Sequence, residues 1–412
     1  LSHIERSLVR NWHNMKARTL KTVLLRKIGK LKEAEEFAKE SIKIDIMDYA
    51  SRNELSLLAK KTGCIDKSNE IEKDIAKLMG GNHNTCIEVS MEYSDAGFYE
   101  EADALLAGFA GQIGNEYKVY PMVFYYMGYN MLKLGKRDSA IKYFKLAAAS
   151  CSDYCFPHRL SDIIVLKAAI SLNPEDWKAP YYLGNLWYDK KQYSLAITYW
   201  ELSRGLNDSF PTVHRNLSLA YFNKQREPQK AKVEMEKAFE LDTKDSRVFM
   251  ELDQLYKKLG FSPQKRLAMF EKHMDVVMER DDLYLEYVTL NNFMGDNEKA
   301  LRLIENRKFH PWEGGEGKVP AQYIYSLVEL AKKSIDNGFY EKAVKLLKRA
   351  TVYPHNLGEG KLAGAQENNI YYFMGCAYEK IGDNENARQC FEKASTGLSE
   401  PAGMMYYNDQ PP

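Results

Sequence analysis

Two short stretches of this sequence concentrate the groups able to do chemistry. HPWEGGEGKVPAQY, residues 310–323, places His310, Trp312, Glu313, Glu316, Lys318 and Gln322 among three glycines and two prolines. NLGEGKLAGAQENN, residues 356–369, repeats the same words with Glu359, Lys361 and Gln366. Glycines let a backbone approach a ligand closely. The glutamates accept hydrogen bonds, the lysines donate them, and Trp312 offers a flat apolar face. Such a set suits a polyhydroxylated ligand such as a sugar. A glycoside-hydrolase site would further need two carboxylates flanking the bond, about 5–5.5 Å apart for retention or about 6.5–9.5 Å for inversion. Glu313, Glu316 and Glu359 are the candidates. The same residues also make a plain structural loop, with glutamate and lysine paired and Trp312 over a helix end. A site predicts Glu316 and Glu359 in a common cleft beside Trp312. A structural loop predicts that they fold back onto Lys318 and Lys361.

Other chemistries find little support. GGEG lacks the GxxxxGK[ST] pattern and follows no strand, so it is not a phosphate loop. No Ser/His/Asp or Cys/His arrangement stands out. The six cysteines, at 64, 86, 151, 155, 376 and 390, form no CxxC pair and fit a reduced, cytoplasmic compartment. Cys151, Cys155 and His158 could begin a metal site, but thiols at i and i+4 without a fourth ligand read as small buried hydrophobes. Neither metal nor cofactor is expected. With 58 Lys+Arg against 57 Asp+Glu, the chain has no general field for polyanions, which argues against nucleic acid. No stretch approaches the ~20 apolar residues of a membrane span. Leu1 to Arg10 carries charges throughout and is not a signal peptide. A missing starting Met and the ending MMYYNDQPP lead us to expect a piece of a longer protein.

The elements that must hold these residues are helices. In APYYLGNLWYDKKQYSLAITYWELSRGLND, residues 179–208, a first helix carries Leu183, Gly184 and Trp187 and a second carries Ala196, Trp200 and Ser203. This resembles the tetratricopeptide repeat, in which small residues let paired helices approach and aromatics fill the gaps. The next unit, 212–242, repeats it with Leu217, Ser218, Tyr221, Ala231 and Ala238, and Gly184 to Ser218 spans the 34-residue period. Other copies carry Gly128, Phe144 and Ala147, and Gly375, Phe391 and Ala394; poorer ones centre on Ala34, Ala102, Ala300 and Ala343. Residues 160–174 read as a lone second helix ended by Pro174. One helix pair cannot bury its apolar face alone, so neighbours must stack. The expectation is all-α: a right-handed α-α superhelix running continuously over 1–412, of roughly nine to eleven helix pairs. Irregular loops are expected near 150–160, 308–320 and 354–367. Ala300, Ala343 and Ala387 share one repeat position yet lie 43 and 44 residues apart, so two consecutive units have each gained an insertion. Both insertions carry GEGK and should be neighbours on one edge.

Longer phrases are more specific than the repeat. LVRNWHNMKARTLKTVLLRKIGK, DYCFPHRLSD, FPTVHRNLSLAYFNK, FHPWEGGEGKVPAQY, NLGEGKLAGAQENN and YYNDQPP look like the tetratricopeptide portion of a family of large bacterial proteins. In that family the repeats follow an N-terminal domain thought to resemble the sugar-binding β-sandwich of galactose mutarotase. The resemblance implies a carbohydrate connection and supplies no catalytic residues. Within it, RNWHN (10–14) reads as one turn of the first helix, either capping the next pair or facing the N-terminal domain. A second likeness, to tetratricopeptide co-chaperones that hold a C-terminal carboxylate with Lys and Asn on successive first helices, fits poorly. Asn185 and Asn216 match, but Tyr181 and Glu251 stand where basic groups are wanted. A groove of Tyr181, Asn185, Arg215 and Asn216 is the place to look for a bound peptide. Together these point to a non-catalytic scaffold for protein–protein or domain–domain binding. Its partner would be its own N-terminal domain or another protein, and a carbohydrate comes second. The alternative is a solenoid lending its GEGK glutamates to a glycoside-hydrolase or sugar-binding site.

Overall fold

Small residues recur on these helices where partners must come close, and large ones where gaps must be filled. The computed structural model describes residues 1–114, 118–361 and 365–396, and among these it contains 23 α-helices and no strand. The fold is all-α and of the tetratricopeptide type. The chain divides into two compact units, Leu1–Ala220 and the remainder from Tyr221.

In the first unit, antiparallel pairs such as Met15–Lys27 with Leu31–Ile44, Pro121–Lys133 with Arg137–Ala149, and Lys178–Asp189 with Tyr193–Leu206 stack in sequence order. The reason is steric. A Cβ at Gly128 would lie 2.5 Å from the Phe144 ring, and one at Gly184 would overlap Trp200. Each glycine therefore seats the aromatic of its paired helix, and Phe144 and Trp200 are both buried. The turn inside a pair is made by a residue with positive φ. That residue is glycine at 29, 63, 97 and 135, but Lys191 (φ 59°) in the third pair named above. Helix Leu160–Leu172 packs against Pro121–Lys133 and Lys178–Asp189. Asp162 on it accepts the Tyr126 hydroxyl at 2.7 Å.

RNWHN is not one turn of a helix. Helix Ser2–Arg10 stops there, Asn11 is extended, and the Asn14 side chain caps Met15–Lys27 by accepting the Ala17 N–H. Trp12 meets Phe37 edge to face at 5.9 Å and lies 4.5 Å beneath the guanidinium of the fully buried Arg18.

In the second unit, pairs Asp281–Phe293 with Asn297–Glu305, Lys318–Asp336 with Tyr340–Ala350, and Asn368–Ile381 with Asn384–Ala394 follow the same rule. Gly375 lies against Phe391, where a Cβ would come within 2.7 Å of the ring. The two insertions are the segments between these pairs. The closing MMYYNDQPP, with its YYNDQPP phrase, and residues 362–364 of the second insertion lie outside the described residues.

Candidate functional site

The first insertion leaves helix Asn297–Glu305, and its course is fixed by an aspartate on the preceding first helix. Asp281 accepts the Arg307 guanidinium at 2.6 Å and the His310 backbone N–H at 2.8 Å, with His310 Nδ1 at 3.3 Å. Burial alone would push Asp281 up. The His310 N–H and the Arg307 charge outweigh it and hold the carboxyl below its ordinary value. Beyond His310 the chain folds over itself. The Trp312 ring lies on the Gly315 backbone, leaving no room for a Cβ there, and the Gly315 N–H donates to the Trp312 carbonyl at 3.0 Å. Gly317, at φ 73°, then begins helix Lys318–Asp336.

The second insertion is stitched to the first. Asn356 Nδ2 donates to the carbonyls of Ile304 and Arg307 at 2.9 and 3.0 Å, and the Asn356 carbonyl accepts the Phe309 N–H at 2.8 Å. Gly358, at φ 78°, passes so close to the Phe309 carbonyl that a Cβ would sit 2.6 Å from it. One residue on, the Glu359 carboxylate accepts the Gly317 N–H at 2.6 Å. Burial raises Glu359; the Gly317 bond lowers it and the Glu316 charge raises it again, leaving it above its ordinary value.

Glu316 and Glu359 are thus electrostatic neighbours, and neither folds onto the lysine of its own loop. Lys361 instead bonds Glu367 at 2.6 Å and the Thr351 carbonyl at 3.1 Å. Glu313 and Lys318 are exposed, and Gln366 is half-buried. Gln322 faces the other way, accepting Asn292 Nδ2 at 3.0 Å. His310, Gln322, Glu359 and Lys361 therefore all make bonds within the protein. Asn356, Asp281 and Arg307, which organise the insertions, were not foreseen, because their partners are mostly backbone groups that sequence patterns do not display.

Of the residues expected in a groove, Tyr181 is buried, packed edge to face on Phe210 with centroids 5.0 Å apart. Asn185 Oδ1 accepts Trp200 Nε1 at 2.9 Å and Asn216 Nδ2 at 3.2 Å, and Arg215 reaches the Asn216 side-chain oxygen at 3.5 Å. These polar groups bridge successive first helices. Cys151 and His158 are exposed, while Cys155 is buried and its thiol is pushed up to about 12 by that burial. Among the described residues no three metal-binding side chains come together, and no helix is long and apolar enough to cross a membrane.

The tetratricopeptide-repeat family model matches residues 369–396, which include the Gly375–Phe391 contact. Among solved structures, the chain is similar to MamA (residues 41 to the end) from Desulfovibrio magneticus RS-1. The identity is 21% over 48% of this chain and 96% of that one, with a TM-score of 0.28. It is also similar to YrrB, described as a TPR protein with an unusual peptide-binding site, at 13% identity over 60% and 96% of the two chains and a TM-score of 0.22. The TPR domain of P58(IPK) matches at 13% identity over 92% of each chain, with a TM-score of 0.26.

Proposed function

We propose that this chain is a non-catalytic tetratricopeptide-repeat scaffold that binds a protein partner within a larger, carbohydrate-related bacterial protein of the cytoplasm. The partner is its own N-terminal sugar-handling domain or another protein. The observation that carries this reading is the use made of the GEGK insertions. Glu359 is held by a backbone amide of the neighbouring repeat, and His310, Lys361 and Gln322 are likewise engaged with neighbouring elements. Groups so engaged favour a rigid frame over a reacting centre. The polar bridge of Asn185, Arg215 and Asn216 joins successive first helices and gives a partner peptide a hydrogen-bonding edge.

A second reading rests on Glu316 and Glu359 lying within electrostatic range of each other, beside the loop that carries Trp312. It makes the insertions part of a sugar-binding or glycoside-hydrolase site shared with the N-terminal domain. The deciding experiment screens the full-length protein on glycosides, with Glu316→Gln and Glu359→Gln beside it. It also titrates the separately produced N-terminal region into this chain by calorimetry. Scaffolding predicts heat of binding and equal turnover in all three proteins. Turnover lost in both variants would replace scaffolding with the second reading.

A further inference from the structure

Away from the insertions, two clefts open along one seam of the first unit. The first has a volume of about 140 Å³. Leu57, Ile75 and Met79, on helices Tyr49–Lys61 and Ile65–Met79, form one wall, and Cys86, Leu105 and Phe109, on His83–Asp95 and Tyr99–Ile113, form the other. The second, of about 240 Å³, lies between Lys16, Leu20 and Val23 of helix Met15–Lys27 and the later residues Glu92, Ala96 and Phe98. In both clefts one wall belongs to the chain before Gly80 and the other to the chain after Gly81. A seam packed like a protein interior would leave no such gaps.

Polar contacts bridge the seam. The Tyr93 hydroxyl donates to Glu54 at 3.0 Å and accepts Asn53 Nδ2 at 3.0 Å. Glu101 takes the Arg26 guanidinium at 3.1 Å and the Lys27 ammonium at 2.5 Å. Such bonds weaken steeply with distance and angle, so they form or break rather than stretch. The chain itself crosses at Met79–Gly80–Gly81–Asn82. At four other links from a second helix to the next first helix, the residue after the helix has a negative, extended φ. These are Asp45 (−131°), Asn173 (−132°), Asn207 (−146°) and Asp242 (−142°). Gly80 and Gly81 instead have φ 58° and 74°, and nothing lies within 4 Å of a Cβ at either. One left-handed glycine is enough to end a helix. The second adds a joint with no side chain to restrain it.

We propose that Gly80–Gly81 is a hinge on which the leading helices, up to Met79, swing against the helices of the first unit that begin with His83–Asp95, and that the Glu101 ion pairs are the catch holding the closed form. Hinges are short links that absorb a backbone rotation between bodies meeting at a bistable interface. Opening parts both clefts at once and uncovers Cys86, which is fully buried in the wall of the first. Lys27 is the exposed member of the catch, its side chain 42% accessible. It can let go without stranding a buried charge, because Glu101 keeps Arg26. The hinge belongs to the chain alone and does not rest on the scaffold reading.

The test alkylates the native thiols of the full-length protein with N-ethylmaleimide and follows each cysteine by mass spectrometry. Cys86 and Cys155 are both buried, and burial pushes each thiol up to about 12, so Cys155 serves as the internal control. Cys86 should react about tenfold or more faster than unfolding of the first unit, extrapolated from urea, allows. Asparagine accepts left-handed backbone but rotates less freely than glycine. The double variant Gly80→Asn/Gly81→Asn should therefore slow Cys86 about threefold. Lys27→Met should speed it about threefold, the worth of one partly exposed ion pair. Cys155 should keep its rate in both, and Gly29→Asn, at a left-handed turn inside a helix pair, should leave Cys86 unchanged. Fraying of the first turn of His83–Asp95 would also expose Cys86, but it would not respond to Lys27. If the asparagine pair does not fold, Lys27→Met decides alone. A Cys86 rate no faster than unfolding allows, one unmoved by Lys27→Met or by the folded asparagine pair, or an equal response to Gly29→Asn would overturn the hinge.

Discussion

The Glu359 carboxylate accepts the backbone N–H of Gly317 at 2.6 Å, so the insertion in one repeat is clasped to the insertion in the repeat before it. The donor is at the very start of helix Lys318–Asp336, where amide groups have no intrahelical partner. A carboxylate there satisfies one of them and complements the helix dipole. The clasp operates against burial and the nearby charge of Glu316, which together hold Glu359 above the usual 4.5. Its contribution to pH dependence follows with a definite sign. The folded protein holds the Glu359 proton more tightly than the unfolded chain, so this group's contribution to stability falls as pH rises from 4.5 through the raised value. Glu359→Ala should lower stability at pH 7 by about 1 kcal/mol, because the Gly317 amide loses its acceptor. Glu359→Gln keeps an acceptor and removes the repulsion, so it should melt at or above the parent temperature. Urea unfolding of the three proteins at pH 5 and pH 7 checks both statements.

The opposite sign belongs to the first unit. Arg26 bonds Glu54 at 2.7 Å and Glu101 at 3.1 Å, and Tyr93 adds its hydroxyl to Glu54 at 3.0 Å. All four side chains are buried. Removing the cation strands the fully buried Glu54 and leaves Glu101 with Lys27 alone, which costs about 3–5 kcal/mol for a broken buried pair. Arg26→Met should therefore lower the urea midpoint of the first unit far more than any surface substitution. Glu101 is held below 4.5, so it contributes stability above that pH, and this is lost as pH falls through the depressed value. A pH titration of stability in the parent should show that loss on acidification, and Glu101→Gln should flatten it.

Tight steric coupling within the pairs gives a third expectation. Gly184 sits under the Trp200 indole, whose Nε1 is itself tied to Asn185 at 2.9 Å and cannot easily yield. Gly184→Ala should cost about 1–3 kcal/mol by overpacking, despite alanine's better helix propensity. Gly205→Ala, on the paired helix with open space around its Cβ, is the control and should be neutral or stabilising. Circular dichroism melts of the two variants separate packing from propensity.

The contrast between these networks explains what the sequence made legible. Gly128 and Phe144, Gly184 and Trp200, and Gly375 and Phe391 recur at one spacing, because each clash is settled between a helix and its immediate partner. The fold class follows from such local pairs. The insertions show up as a shift of that period, and their contact follows because equivalent segments of consecutive repeats lie side by side. Arg26 and Glu101 are 75 residues apart, and no periodicity connects them. The acceptor role of Glu359 was foreseen as chemistry, but its donor is a backbone N–H, which any residue but proline supplies. RNWHN misled for a related reason. Its apolar and charged residues suit a helix turn, but Asn14 is better satisfied as a cap, and the chain breaks to allow it.

The two glycines of the second GEGK loop should respond differently to substitution. Gly358 has φ 78°, and a Cβ there would meet the Phe309 carbonyl at 2.6 Å, a backbone atom fixed by the Phe309 N–H bond to Asn356. Gly360 has no positive φ and nothing within 4 Å of its Cβ. If the repeated glycines serve close passage of one insertion over the other, Gly358→Ala should cost about 2 kcal/mol or more, combining left-handed strain with a backbone clash. Gly360→Ala should then be within about 0.5 kcal/mol of the parent. Glycines kept for a ligand's approach would instead leave both variants stable and weaken binding in each. Chemical unfolding of the pair, measured before any ligand is known, decides between these. Equal stability in both would argue against interlocking as the reason for Gly358.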